Sequence, residues 1–437
     1  MTVAHVLVLG AGPAGAAVAL SLGRLGYRVS VVSEWRHFDA VEGVSARVLE
    51  GLRQSGLSDA AQCVYPPSVR HVHWNGTALA PNAEYLVDRR RFDIALRQDL
   101  RRASIDVIRA HVRGVQSCSS SHRAQIEGEQ GTAYLEADFL VEARGRLAPA
   151  AGKGVRGPET LSLLSQWKGR PGPRGSAVES MQDGWAWMAR LRDGRCYWQW
   201  TLDAGSAALP RKNELAAFCA ARRAGSVVAM EFFGASARRP ATLHARSSTA
   251  TLCAQTVGAN WLRVGDAAMA VDPLSGNGMF QSLSSALQAP AVINTILTRP
   301  ERAPLARRFH QQRIDNLFAR FARIGRDFYA TEHRWACSPF WQPRNRWPDE
   351  QPLVVPVDFR HLRVERAPVI RDGLIDEADV VITPEQPVGI WHLNGVELAP
   401  VIRALQREPN ARVLETVAPR QRQALHAWLA AHRYPVV

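Results

Sequence analysis

Residues 3–15 read Val3-Ala4-His5-Val6-Leu7-Val8-Leu9-Gly10-Ala11-Gly12-Pro13-Ala14-Gly15, and a run rich in small residues continues to Leu25. Gly26 follows, and then Tyr27-Arg28-Val29-Ser30-Val31-Val32-Ser33-Glu34. The order is apolar strand, glycine turn, Ala-rich helix, strand. A glycine triplet carries meaning only in this context, after a strand and at the opening of a helix. Gly10 permits the tight turn, Gly12 lets a backbone approach a pyrophosphate, and Gly15 lets the helix lie close on the sheet. Pro13 and Ala14 start the helix, whose first-turn amides have no intrahelical partner and favour a bound anion. The stretch predicts an α/β chain with a Rossmann-like dinucleotide-binding domain.

Outward from that turn, composition bounds the rest. A chain of 437 residues is long enough for two or three domains. Hydrophobic content of 46% and charged content of 22% describe an ordinary globular protein. No apolar run reaches the length of a membrane span, and the apolar N-terminal run has no basic segment before it, unlike a secretory leader. Six widely spaced cysteines without a CxxC pair predict reduced thiols, a cytoplasmic setting, and neither a disulfide framework nor a metal site. The formal net charge is +14, and the basic residues are arginines apart from Lys153, Lys168 and Lys212. Such an excess attracts acidic partners. The arginines are spread along the whole chain and no nucleic-acid motif accompanies them, which argues against nucleic acid. An acidic peptide or protein, an anionic small molecule and a generally basic surface all remain open.

Along the chain, helical spacing from Val48 stops at Gly56, and residues 69–87 alternate as strands around Asn75-Gly76. A helix follows from Val87-Asp88-Arg89, and residues 138–146 form a strand running into a glycine turn. Residues 150–180, rich in Gly, Pro and Arg, predict a loop. Trp185, Trp187 and Trp198 flank an Asp193-Gly194 turn, which predicts a hairpin whose aromatics form a core face or wall a pocket. The second diagnostic stretch is Gly265-Asp266-Ala267-Ala268-Met269-Ala270-Val271-Asp272-Pro273-Leu274-Ser275-Gly276-Asn277-Gly278-Met279. There a strand ends in a carboxylate able to hold sugar-like hydroxyls, and backbone amides open a new helix near Met279. Residues 339–356 predict a Pro/Trp-rich linker. The expected domains are 1–150 with 250–335, which bind the nucleotide, and 151–249 with part of 60–90, a substrate-binding sheet. Residues 353–437 form a small α+β module, winged-helix-like or a simple brace.

These motifs, in this order, resemble the FAD-dependent monooxygenases of the aromatic hydroxylase type, a grouping that includes flavin-dependent halogenases and geranylgeranyl reductases. The resemblance covers roughly residues 3–330. It implies FAD, with its pyrophosphate at Gly10, Gly12 and Gly15 and its ribityl chain at Asp266 beside Gly265. Arg47 and Arg89 would approach the cofactor, and Pro273, Gly276, Asn277, Gly278 and Met279 would frame the isoalloxazine edge. It also implies oxygen activation as a flavin C4a-hydroperoxide that an electron-rich ring attacks. The ribose-binding acid of the family falls in register at Ser33, so Glu34 serves only if the strand end is shifted.

Two departures narrow the reading. Arg144 replaces the usual residue of an Ala-x-Gly triplet. That leaves open whether NAD(P)H reduces the flavin directly or a partner flavin reductase does. Halogenase chemistry needs a lysine from the segment after the second strand, and residues 1–152 contain none. The Trp-x-Trp pair at Trp185 and Trp187 keeps half of the halogenase signature and loses its Ile-Pro. The branch that matures tryptophylquinone cofactors, hydroxylating a tryptophan inside a protein substrate, resembles this combination most. Trp185, Trp187 and Trp198 would then line the substrate side, with no general base assigned. The alternatives are a halogenase-like or geranylgeranyl-reductase-like enzyme acting on a small molecule, and a non-catalytic peptide-binding flavoprotein.

Overall fold

A computed structural model describes residues 3–150, 152–234, 242–355, 357–408 and 412–434. The chain divides into two compact units, Met1–Ala289 with Phe321–Glu350, and Pro290–Arg320 with Gln351–Val437. No helix among the described residues is long and apolar enough to cross a membrane.

The first unit is built on two large sheets. Strand β1 (His5–Leu9) is central in a seven-stranded sheet, where it pairs in parallel with β2 (Arg28–Ser33) on one side and with Phe139–Glu142 on the other. Val6, Leu7, Val8 and Leu9 are all fully buried, as expected of a parallel strand covered on both faces. Between β1 and β2 runs α1 (Pro13–Arg24), whose buried Ala14, Gly15, Ala16, Ala17 and Ala19 let it lie flat against the sheet. Trp261–Arg263 pairs in parallel with Phe139–Glu142, so the second diagnostic stretch leaves the sheet beside the first.

The second sheet has eight strands, and residues 160–181 supply two of them. This corrects the loop expected over 150–180. Thr160–Lys168 and Gly175–Met181 bury serines that hydropathy reads as loop. Ser162 and Thr201 share a hydrogen bond at 3.1 Å, and Ser165 donates to the Trp198 carbonyl at 3.2 Å, so burial leaves neither serine unpaired. The predicted hairpin is present as β3 (Gly184–Arg190) and β4 (Arg195–Asp203), in the register Met188 to Trp198. One face of this sheet packs under α2 (Leu215–Ala224) and α3 (Val227–Phe233).

Within the expected linker over 339–356, Phe340, Trp341 and Arg344 are instead core of the first unit. Phe340 and Trp341 are buried against Tyr329, Trp74 and Trp185, and the Trp341 indole donates to the Met181 carbonyl at 3.0 Å. The buried Arg344 guanidinium donates to Asp203 at 3.1 Å and to the Glu159 carbonyl at 2.9 Å. Aromatic packing and these donors outweigh the chain-breaking tendency of the prolines.

In the second unit, three antiparallel strands (Arg363–Arg371, Leu374–Thr383 and Gln386–Ile390) precede two helices, Leu398–Arg407 and Pro419–Ala431. The third short helix expected there is a single turn, Arg412–Leu414. Leu398, Ile402, Leu405, Leu425 and Leu429 form its core with Val381. Thr295 belongs to the same unit and accepts from the Ile375 amide at 2.7 Å. Residues 356, 409–411 and 435–437 of the expected module lie outside the described residues.

If 340–344 is core, Trp341→Ala lowers stability by roughly 3–5 kcal/mol in denaturant unfolding. Val354→Ala, at a side chain that is mostly exposed, stays within about 0.5 kcal/mol. Equal small effects at both positions would restore the linker.

Candidate functional site

The glycine turn is a backbone-to-backbone contact. Gly10 has φ +111°, and a Cβ there would stand 2.4 Å from the Ala143 carbonyl oxygen. A Cβ on Gly15 would stand 1.9 Å from the Gly10 carbonyl oxygen. Gly12 is different: beyond its chain neighbours, no atom of the described residues lies within 4 Å of where its Cβ would be. Gly12 also begins α1 without any side-chain cap. An open approach and uncapped amides at a helix N-terminus suit a pyrophosphate.

Asp266 follows the Trp261–Arg263 strand and sits against this turn. Gly265 (φ +60°) places its backbone where a Cβ would meet the Ala14 Cβ at 3.0 Å. The Asp266 carboxylate accepts from Gln281 Nε2 at 2.9 Å and lies 3.6 Å from Arg146 Nε. Burial pushes this carboxyl up, against the pull of Arg146, and the neighbouring Glu42 adds to the rise. About a third of the side chain remains exposed, so it can still accept from a sugar hydroxyl. Beyond it, Asp272 opens a tight turn, Pro273–Ser275, and Gly276 (φ +64°) leads through Asn277 into α4 (Gly278–Thr298). Beyond the adjacent residues and the helix's own backbone, no atom of the described residues lies within 4 Å of a Cβ built on Gly276 or Gly278. The three open glycines and the partly exposed carboxylate fit an extended dinucleotide of the FAD type, with Met279 in the first turn of α4.

The other expected cofactor residues divide. Arg47 is exposed, with its guanidinium 5.6 Å from the centre of the Phe280 ring on α4. Arg89 is buried and committed to carboxylates, Glu42 at 2.9 Å and Asp93 at 2.9 Å. It braces the strand carrying Glu42, and in this arrangement its donors face carboxylates. Glu34 lies one residue past β2. The β2 register to Asp106–Ser117 runs without a shift through Ser33 opposite Arg109, so no bulge brings Glu34 inward. Its carboxylate instead meets His111 Nδ1 at 3.0 Å. Arg144 folds back onto Glu142, donating at 2.9 and 2.5 Å.

The three tryptophans do not share one wall. Trp185 and Trp187 point to the sheet face away from α2 and α3. Trp198 points to the other face, fully buried with Trp200 beneath those helices. The expectation that Trp198 lines a pocket is corrected by the hairpin register, which puts Met188, not Trp187, opposite Trp198. Trp187 is half-buried and donates from Nε1 to Glu84 at 3.3 Å; Ser176 donates to the same oxygen at 2.5 Å. Trp185 is buried and donates to the Tyr329 hydroxyl at 3.2 Å. Tyr329 in turn donates to Asp272 at 3.0 Å. Burial holds the Asp272 carboxyl above its usual range and the Tyr329 phenol well above its own. Glu84 and Tyr329 escaped the sequence reading because each reads as an ordinary member of its strand or helix pattern. Asp272 carried a signal, the Asp-Pro pair, without a side-chain role. Among the described residues, no cluster of ligands suits a metal ion.

Residues 3–298 match the family described as FAD binding domain. A solved peptidyl tryptophan dihydroxylase, QhpG, essential for tryptophylquinone cofactor biogenesis, is 58% identical over the whole of both chains, with a TM-score of 0.86. A tryptophan 2-halogenase from Chondromyces crocatus is 25% identical over 369 residues, which are 75% of this chain and 68% of the halogenase. The flavin-dependent halogenase CmlS shares the fold at 17% identity, with a TM-score of 0.77 over 98% of this chain and 94% of its own.

Gly12→Ala separates fold from ligand. The substituted protein without cofactor melts within a few degrees of the parent, since an N-terminal helix position tolerates Ala at a cost of about 1 kcal/mol or less. The FAD dissociation constant rises about tenfold or more, because the methyl takes the space of a phosphate oxygen. An unchanged FAD titration would remove the pyrophosphate from this turn.

Proposed function

The chain belongs to the FAD-binding-domain family, and on that premise we propose that it is an FAD-dependent monooxygenase. Its reaction is hydroxylation of an electron-rich aromatic ring, a tryptophan side chain of a peptide or protein, in the making of a tryptophylquinone cofactor. The observation that carries this reading is the 58% identity, end to end, with a peptidyl tryptophan dihydroxylase. Bound and reduced, FAD supplies the activation of molecular oxygen. The protein supplies the rest. Gly12 and the amides of α1 hold the pyrophosphate, and Asp266 holds the ribityl hydroxyls. The Gly276 and Asn277 amides are taken within the turn, by the Pro273 carbonyl at 3.1 Å and the Ser275 hydroxyl at 3.4 Å, so of the four expected amides those of Gly278 and Met279 would serve the ring system, where negative charge develops. Pro273 begins the turn ahead of them, and Trp187 with Glu84 gives the substrate side an aromatic surface with a polar edge.

The electron donor in this reading is NAD(P)H, acting directly or through a flavin reductase. Arg144 folded onto Glu142 favours the reductase, since it takes the place of a small residue at a position the family uses for both nucleotides. An acidic peptide or protein is the expected acceptor. Residues 353–437 carry ten arginines and ten carboxylates, so the whole excess of +14 belongs to residues 1–352. Electrostatic attraction for an acidic acceptor therefore comes from the body that carries the site, and any peptide contact of the C-terminal stretch relies on shape and apolar surface. The six cysteines are free, which suits a reducing, cytoplasmic compartment.

The test is incubation of the enzyme with FAD, NADH, a flavin reductase, oxygen and a tryptophan-bearing acceptor protein, followed by peptide mass spectrometry. A gain of about 16 or 32 Da on a tryptophan is expected, one or two oxygens by the chemistry of the cofactor. Added bromide or chloride leaves the product unchanged. A halide-dependent product, or reduction of a substrate without oxygen consumption, overturns the proposal.

A further inference from the structure

One hydrogen-bonded chain joins the second sheet to the turn ahead of α4. Trp185 Nε1 donates to Tyr329 Oη at 3.2 Å, and Tyr329 Oη donates to Asp272 Oδ1 at 3.0 Å. The same Oδ1 accepts from the Leu274 amide at 2.9 Å, and the Ser275 hydroxyl closes onto the Asp272 carbonyl at 2.8 Å. That carboxylate therefore shapes the turn Pro273–Ser275, which leads through Gly276 into α4. All three side chains are at most 8% exposed, and Leu274 packs against the aromatic cluster that holds Trp185 and Tyr329. Tyr329 lies on α5 (Ala303–Ala330), and its ring stands edge-on to Phe340 and Trp341, each at 5.8 Å. The ring is held by packing; the hydroxyl is left to make the connection.

We infer that Tyr329 is a positioning residue, tying the strand of Trp185 and Trp187 to the turn that frames the flavin ring and so fixing the spacing between substrate face and cofactor. The inference rests on the monooxygenase reading only for what that spacing serves. The link from Tyr329 through Asp272 to the turn concerns FAD binding alone, and it makes a prediction that needs no acceptor. Two hydrogen bonds converge on one buried oxygen, so removing the acceptor frees the turn, and removing the phenolic donor unties the carboxylate and its turn from the strand of Trp185. An amide at position 272 keeps the acceptor oxygen and loses the charge. It separates turn geometry from electrostatics.

The experiment compares Tyr329→Phe, Asp272→Asn and Asp272→Ala in the full-length protein. FAD is titrated into each cofactor-free form, the visible spectrum of each bound flavin is recorded, and each form is melted. Tyr329→Phe keeps the ring in its aromatic pocket. It is expected to weaken FAD roughly fivefold, the effect of one net buried hydrogen bond, and to shift the flavin absorption bands. Asp272→Ala does the same or more, and Asp272→Asn restores affinity to within about twofold of the parent. A Tyr329→Phe protein that melts lower but binds FAD with unchanged affinity and spectrum overturns the inference. So does an Asp272→Asn protein as impaired as Asp272→Ala. Hydroxylation of an acceptor is scored separately, so loss of the proposed reaction with an intact FAD effect would reject the function and keep the positioning role.

Discussion

Three segments far apart in sequence can meet only because their backbones touch where side chains would stand. Gly10 lies against the Ala143 carbonyl, Gly15 lies against Gly10, and Gly265 presses on Ala14. Each contact would be closed by a single methyl group. Together they bring the end of β1, the end of the Phe139–Glu142 strand and the turn after Trp261–Arg263 to one point. The same closeness sets the residue before Asp266 against the first turn of α1, through the contact of Gly265 with Ala14. The proposed cofactor site is therefore a by-product of how tightly this sheet and helix pack.

The second sheet solves a different problem. Its two faces divide the tryptophans between support and site. Trp198 and Trp200 fill the side under α2 and α3, and Trp185 and Trp187 occupy the other. Parity along the strands makes this division obligatory once the register of the hairpin is set. On the second face the depth of burial then separates the two remaining residues. Trp185 is sealed and bonded to Tyr329, a supporting role. Trp187 stays half-buried with its indole donated to Glu84. Of the three, Trp187 is the one that can still meet a substrate.

Much of this was legible in the sequence because it is local. The Gly10 to Gly15 turn, the hairpin at Asp193-Gly194 and the opening of α4 at Gly278 each depend on a few neighbouring residues whose conformational preferences are strong. The placement of Trp198 was legible in principle, through the hairpin register, and was missed by treating aromatic residues as one group. The strands over 160–181 were hidden because their serines are paired within the sheet, which hydropathy cannot register. The same blindness made Pro339 to Pro356 read as a linker, although Trp341 and Arg344 are among the most buried residues of the unit. The link from Tyr329 to Asp272 spans 57 residues, and nothing periodic in α5 marks that tyrosine out. Glu34 shows the reverse case. Its offset from the strand end was visible in the sequence, and the uninterrupted register with its contact to His111 agrees with it.

In the proposed reaction a glycine-built FAD site directs oxygen from the gas into a tryptophan of a protein acceptor. The most direct measurement is the isotopic origin of that oxygen. Turnover under oxygen-18 gas in ordinary water should make the modified tryptophan heavier by about 2 Da for every oxygen inserted, as expected of a flavin that activates molecular oxygen. A product that carries label only when the water is enriched would contradict the account.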